Sequence, residues 1–367
     1  MKHIIYKSRF NYLPQNRQNN CAETFEELLL FDAISYNIVG INHPLLFLIE
    51  ELGLNKVEEL LENKSIEFIT GIPLIAANAG PEINGMPQYK GIPPLLSAKF
   101  TNPENSDPEY QLDEALKLIV GLNRDRRRIF KRIALKQYKI PNSKFSSDAH
   151  KFVLDAYLNN KLTAFGLPNI IEPENIGINE RKLLADIGYD IIETALLSQF
   201  KYKSKNNNKA LLITKDTFDN FFNAVQISKN NSTILKLECL PDMENLFKLK
   251  NYNLSNALYL RDSNNSKKYR SWINEKTDEL SDTSITKSYI DEIAKESGFF
   301  NSNNGKLIKT ISIFSVSSYL GFELADLPGL TTGLGISLID TYLLESWIKG
   351  WNPRFFIDEL RKEINEK

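Results

Sequence analysis

The sequence predicts an α+β protein that is predominantly helical, with a small N-terminal sheet and a helical C-terminal half ending in an apolar helical hairpin. Two patterns lead to this prediction. Short apolar, strand-like runs occur within the first 70 residues, whereas apolar residues recur at helical spacing through most of the later chain. Strands and helices that are separated along the chain in this way are typical of an α+β fold.

The composition bounds the class of protein. A chain of 367 residues with 42% hydrophobic residues can bury a sizeable core. The formal net charge of -1 provides no overall field toward nucleic acid or anionic lipid, so any such contact must come from a local patch. Two cysteines cannot build a disulfide framework, and the N-terminus lacks a signal peptide's apolar core. A reduced, cytoplasmic setting is therefore expected.

The predicted N-terminal part, residues 1–165, holds the small sheet. Residues 26–36 are rich in leucine, isoleucine and aromatic side chains and indicate a buried strand preceded by a helical turn. Further strands are predicted at residues 3–7 and 65–70, with two short helices before the last of these. Strands and helices in this arrangement favour a small layered α/β unit.

Residues 71–108 are predicted to form a long ordered loop. The segment contains seven prolines and four glycines and has no sustained period. Loops of this length are usually functional or disordered, and the apolar and aromatic residues here favour order. A second connector marked by proline and glycine, residues 165–178, is the predicted boundary before a mainly helical C-terminal part, residues 178–367.

Residues 124–144 carry the strongest local charge signal. Nine cations are found there against Asp125 alone, and helical spacing predicts a broad cationic face opposite Ile129, Ile133 and Leu135. Such a face can neutralise several phosphates and bind nucleic acid without regard to sequence. The candidate nucleic-acid-binding residues are Arg124, Arg126, Arg127, Arg128, Lys131, Arg132 and Lys136.

Two alternatives to nucleic-acid binding stay open for this face. It can contact anionic lipid, or it can be a solvated helix face paired with acidic neighbours such as Glu58, Glu59 and Glu62. A second basic cluster bears on the choice, because two clusters on one surface would favour nucleic acid. Its members are Arg261, Lys267, Lys268 and Arg270.

Motifs for metal binding or nucleophilic catalysis do not occur in the sequence, which identifies no cofactor. A site made of carboxylates alone stays open, because Mg²⁺ needs few protein ligands. Asp32 is the candidate catalytic residue if the protein is an enzyme, since a carboxylate in a buried strand must be paired, metal-bound or at an exposed end. Its candidate companions are Glu67, Asp190 and Glu193.

Residues 307–360 form the most apolar block of the chain. Two apolar runs flank an acidic break at Glu323 and Asp326, and each run is shorter than the roughly 20 residues of a membrane-spanning helix. A buried helical hairpin is the prediction, and a membrane-active hairpin is the alternative. The candidate residues for a partner or membrane surface are Leu330, Gly333, Ile336 and Trp347.

Three functions follow as hypotheses. The first is a cytoplasmic binding or effector protein that acts through a macromolecular partner, with a protein partner or self-association expected and nucleic acid or a membrane as alternatives. Abundant asparagine, lysine and isoleucine are typical of AT-rich bacterial and phage genomes, which suggests a stress or phage-defence setting. The second is a metal-dependent phosphodiesterase or nuclease that uses Asp32. The third is a membrane-perturbing effector built on residues 307–348.

Overall fold

The computed structural model describes residues 2–98, 103–205, 232–249, 252–278, 308–316, 355–356 and 359. It confirms the predicted class: the fold is α+β, mostly helical, with parallel strands near the N-terminus. None of the helices in these ranges is long and apolar enough to cross a membrane.

The elements are named here in chain order. The strands are β1 (Ile4–Lys7), β2 (Ala33–Ile38), β3 (Ile66–Thr70), β4 (Leu74–Ala77), β5 (Glu82–Ile83), β6 (Met86–Pro87), β7 (Leu95–Ala98), β8 (Tyr138–Lys139), β9 (Lys203–Lys205), β10 (Ser232–Pro241) and β11 (Ile308–Val316). The helices are α1 (Arg17–Leu30), α2 (His43–Leu52), α3 (Leu54–Glu62), α4 (Pro108–Lys117), α5 (Arg124–Leu135), α6 (Phe145–Leu158), α7 (Ile178–Phe200), α8 (Met243–Leu249), α9 (Leu254–Asp262) and α10 (Asn264–Asp278).

A seven-stranded sheet with the order β10-β11-β9-β1-β2-β3-β8 organises the molecule. The five strands from β9 to β8 are parallel, and β11 and β10 add an antiparallel pair at one edge. From β1 the chain continues to β2 on one side, whereas β9 lies on the other side. The carboxyl ends of β1 and β9 therefore flank a topological switch point, where open α/β sheets usually bind ligands.

The two faces of the sheet are covered by separate apolar clusters. One cluster takes residues from α1 to α5 and from α8 to α10, and the other takes residues from α6, α7, β4 and β7. Alternation along β1 divides its side chains between them: Ile5 enters the first cluster, whereas Ile4 and Tyr6 enter the second. Burial on both faces explains why the central strands are apolar runs.

The predicted strand at residues 26–36 is wrong over its first half. Helix α1 continues to Leu30, and β2 begins only at Ala33. All the residues from Thr24 to Leu30 are buried or nearly so, because α1 packs under the sheet and against α8, α9 and α10. A helix that is apolar on most sides has no clear hydrophobic period, so its sequence cannot be distinguished from that of a short buried strand.

The described residues of the predicted loop, 71–98 and 103–108, contain strands. Strands β4 and β7 pair antiparallel, and the short β5–β6 hairpin lies between them in sequence. The two strand pairs were not predicted because their runs are only two to four residues long. Proline and glycine between them obscure the alternation that identifies a strand.

The sheet takes strands from both sides of the predicted boundary at residues 165–178, since β9 pairs with β1. The division into two parts stays a prediction. The apolar block begins as β11, which pairs with β9 and β10. Most of the predicted hairpin, residues 317–354, lies outside the described residues.

Candidate nucleic-acid interface

Helix α5 is oriented by its cap and by two buried side chains. The side-chain oxygen of Asn123 accepts a hydrogen bond from the backbone N–H of Arg126 at 2.8 Å, which satisfies one of the free donors at the helix start. Phe130 and Ala134 are fully buried and face α3 and α4. The predicted rotation of the helix is therefore wrong in one respect, because Ile129 is 45% exposed.

Two cations flank this buried side and are paired with carboxylates. Arg126 forms a forked ion pair with Glu58 of α3 and donates to Asn55 Oδ1 at 2.9 Å. Lys131 Nζ lies 2.8 Å from Asp113 Oδ2 of α4. Burial lowers the pKa of Lys131, but the hydrogen bonds to the α4 carboxylates raise it by a larger amount. The net shift of the pKa is therefore upward. These ion pairs hold α5 against α3 on one side and α4 on the other. The charges of Arg126 and Lys131 are therefore not available to a ligand.

Four other cations of the segment point to solvent. Arg124, Arg128, Arg132 and Lys136 are exposed and recur every four residues. We call these four residues the cationic stripe. At about 1.5 Å per residue the stripe extends over roughly 18 Å along the helix.

The cationic stripe has few carboxylates within reach. Arg128 lies 3.8 Å from Asp125, and both side chains are highly exposed, so solvent screens this pair strongly. No carboxylate in the described ranges forms an ion pair with Arg124, Arg132 or Lys136. Arg127 differs from both groups: its Nε is buried and has no hydrogen-bond partner in the described part of the chain. The structure thus divides six of the seven predicted residues into braced and outward-facing sets, and Arg127 belongs to neither.

The segment that carries the cationic stripe exposes aliphatic side chains. Leu118, Val120 and Ile129 are exposed, and Val120 reaches 98%. Phe130 is the only aromatic residue between positions 118 and 136, and it is buried. Within residues 118–136, therefore, no exposed ring is available on which a base could stack.

Half of the second basic cluster is buried. Arg261 is buried and donates to the carbonyls of Phe31 and Asp32 at the end of α1. Arg270 is also buried, and it donates to the carbonyl of Arg261 at 2.9 Å. These two arginines fix α9 and α10 to α1 and are not available to a ligand, which leaves the exposed Lys267 and the half-buried Lys268.

The four candidate carboxylates of an enzyme site are distributed over two places. Asp32 lies at the amino end of β2, where its Oδ2 accepts from the His3 backbone at 2.9 Å and Arg270 lies 3.8 Å away. Glu67 of β3 accepts from the Tyr202 hydroxyl at 2.7 Å and pairs with Lys139 at 2.8 Å. The contacts of Asp32 come from the α9 and α10 side, whereas Tyr202 belongs to the α7 side.

Asp190 and Glu193 lie together on α7. Burial raises the pKa of Asp190 to about 7, and the charges of Glu193 and Asp186 add to the shift, which Arg9 opposes. A carboxyl group with this pKa can exchange a proton near neutral pH. Within the described ranges, however, no three His, Cys, Asp or Glu residues are placed to hold a metal ion.

Sequence reasoning missed a charged network at the switch point. Lys7 ends β1 and Lys205 ends β9, and both amines contact carboxylates of α1. The available signal was the spacing of Glu23, Glu26 and Glu27, which share one face of a helix. The signal was lost because this segment was predicted as a strand in part.

The candidate partner or membrane residues Leu330, Gly333, Ile336 and Trp347 lie outside the described residues. Among the candidate sites that lie in the described part of the chain, only helix α5 holds several of its predicted residues on one exposed face. No protein-family model, no curated protein and no solved structure matches the chain.

Proposed function

We propose that the protein binds the phosphate backbone of nucleic acid, without reading its sequence, through the cationic stripe of α5. One observation carries the proposal: Arg126 and Lys131 have carboxylate partners on neighbouring helices, whereas the four outward cations form an exposed row. Because the formal net charge is only -1, this row is a local feature and not a consequence of a basic chain. The bacterial stress or phage-defence setting is proposed on composition alone.

The number of cations sets the expected strength of salt dependence. Each phosphate neutralised releases counterions, and four contacts give a slope of about -3.6 in log affinity against log salt. Affinity should then fall roughly 100-fold between about 50 mM and 200 mM salt. Contacts to base edges are not expected, because a row of this kind positions the backbone and carries no direct base readout.

The test compares two variants of equal charge. In the first, the stripe is neutralised as R124Q/R128Q/R132Q/K136Q. In the second, four exposed lysines outside both basic clusters are changed as K90Q/K151Q/K161Q/K182Q. Both variants carry a formal charge of -5, since four positive charges are removed from -1. Fluorescence anisotropy with a labelled duplex reports binding at low salt.

We expect the stripe variant to lose about 30-fold or more in affinity and the control to change less than about threefold. Equal losses in both variants would mean that only net charge matters. Absence of binding by the native protein at low salt would overturn the proposal.

Anionic lipid is the rival partner, because exposed Leu118, Val120 and Ile129 lie beside the cations. Co-sedimentation with phosphatidylserine vesicles is therefore run in parallel. Binding to vesicles without binding to nucleic acid would replace the proposed function by a membrane-surface role.

A further inference from the structure

We infer that the cationic stripe selects double-stranded over single-stranded nucleic acid. The inference rests on the proposed function and concerns the form of the same ligand. Three observations bear on it: the fixed spacing of the stripe, the bracing of α5, and the composition of the segment around the stripe.

The cationic stripe is a short, rigid row. The four cations lie along one helix of regular geometry, and their spacing is set by the backbone rather than by a loop. A duplex carries one negative charge per about 1.7 Å of its axis, counting both strands, so roughly ten charges lie along a length equal to that of the stripe. A duplex is also stiff over about 150 base pairs, so it meets a fixed set of cations without a cost in ordering.

Bracing on two sides preserves this row. Arg126 ties α5 to Glu58 of α3, and Lys131 ties it to Asp113 of α4. The helix therefore presents its outward side chains from a fixed backbone, which reduces the entropy lost on binding a rigid partner. A single strand is flexible and loses conformational entropy when it is ordered along the row. The rigidity of α5 does not reduce that cost.

Proteins that bind single strands offset the free-energy cost of this ordering by stacking bases on aromatic rings. Each stacked base contributes about 1–3 kcal/mol. The segment from 118 to 136 offers only Phe130, which is buried. Tyr259, at 72% exposure, is on α9, which packs on α1, α2 and α10, whereas α5 packs on α3 and α4. Residues 118–136 thus provide exposed charge but no exposed aromatic ring.

The deciding experiment is competition at moderate salt among three unlabelled ligands of equal length: duplex DNA, duplex RNA and oligo-dT. The DNA and RNA arms distinguish the two sources of a duplex backbone. We expect at least one duplex to compete about tenfold better than the single strand. Equal or better competition by oligo-dT overturns the inference while leaving the proposed function intact. Failure of every ligand to bind overturns both.

A gain-of-function variant provides an independent test. Ile129 is exposed on the same face as the stripe, and Ile129→Trp places a ring among the cations. We expect the affinity for oligo-dT to rise several-fold, with less than a twofold change for duplex, because only unpaired bases can stack on the new ring. The companion Ile129→Leu should change neither affinity. A rise for duplex equal to that for oligo-dT would contradict the inference.

Discussion

At the residue scale, Arg181 shows how one side chain orders a long connection. It is fully buried on α7, and its guanidinium donates to six backbone carbonyls. The acceptors are Asn78, Tyr89, Ile92, Pro93, Glu174 and Ile176. A buried charge persists only when it is hydrogen-bonded, and these carbonyls use all of the planar donor set. The proline- and glycine-rich segment is thereby fixed to α7.

The first prediction concerns this arginine. Arg181→Met should lower the free energy of unfolding by about 3–5 kcal/mol, because it leaves several buried carbonyls without donors. Arg181→Lys should restore little, since an ammonium cannot span the same acceptors. Urea unfolding measures both. The neighbouring exposed Lys182→Met is the control and should stay within about 0.5 kcal/mol. If the Arg181→Met variant unfolded at the same urea concentration as the native protein, this role of Arg181 would be contradicted.

The second prediction concerns pH. The pKa of Asp190 is raised to about 7, so the folded chain holds this proton between about pH 4 and 7 while the unfolded chain releases it. Asp190 therefore lowers stability progressively as pH rises through that window. Asp190→Asn should gain up to about 4 kcal/mol relative to the native protein between pH 4 and pH 8, since the pKa rises from 3.8 to about 7 and each pKa unit corresponds to about 1.4 kcal/mol. Urea midpoints at the two pH values measure the difference, and a pH-independent difference would refute it.

At the element scale, α5 shows what helical spacing predicts and what it does not. The spacing identified all seven cations, but it placed Ile129 on the buried side. The structure buries Phe130 and Ala134 instead and leaves Ile129 half-exposed. The rotation of a helix depends on the partners that it packs against, here α3 and α4, and these partners cannot be identified from the segment alone.

The third prediction separates the two kinds of cation on α5. Arg126→Ala should destabilise the fold by about 1–3 kcal/mol, because Glu58 loses a forked partner and is only partly exposed. Arg132→Ala should leave stability within about 0.5 kcal/mol and weaken duplex binding about three- to tenfold. Denaturation and anisotropy on the same preparations measure the two effects. Identical profiles for the two variants would remove the distinction between braced and outward-facing cations.

At the scale of the whole molecule, a charged network joins distant parts of the chain at the switch point. Lys205 Nζ lies 2.8 Å from Glu26 Oε1, 3.4 Å from Glu244 Oε1 and 3.7 Å from Glu27 Oε1. Lys7 contacts Glu27 as well, at 3.4 Å. Burial lowers the pKa of Lys205, but the three carboxylates raise it well above its usual range, so the amine stays charged.

The fourth prediction follows from this network. Lys205→Met should destabilise the fold by about 3–5 kcal/mol, because Glu26 is fully buried and would lose its cation. Adding Glu26→Gln should recover part of the loss, since the uncompensated charge is then removed. A double-mutant cycle measures the coupling between the two positions. Strict additivity of the two changes would show that the pair does not act as a unit.

The whole-molecule arrangement was the least predictable part of the fold. Strand β9 has three residues, Lys203, Ser204 and Lys205, and a lysine-serine-lysine run carries no strand signal. Its position beside β1 depends on α7 packing across the sheet, which is a contact between residues far apart in sequence. The class of fold and the cationic helix were predicted from local patterns, whereas the switch point and its network depend on these long-range pairings.

The central claim, that four outward cations of α5 contact phosphates, is tested most directly by the salt dependence of duplex binding. Affinity is measured over a salt series for the native protein and for Arg132→Gln. We expect a slope of about -3.6 for the native protein, and a slope smaller in magnitude by about 0.9 for the variant because it makes one phosphate contact fewer. An unchanged slope in the variant, or a native slope near zero, would contradict it.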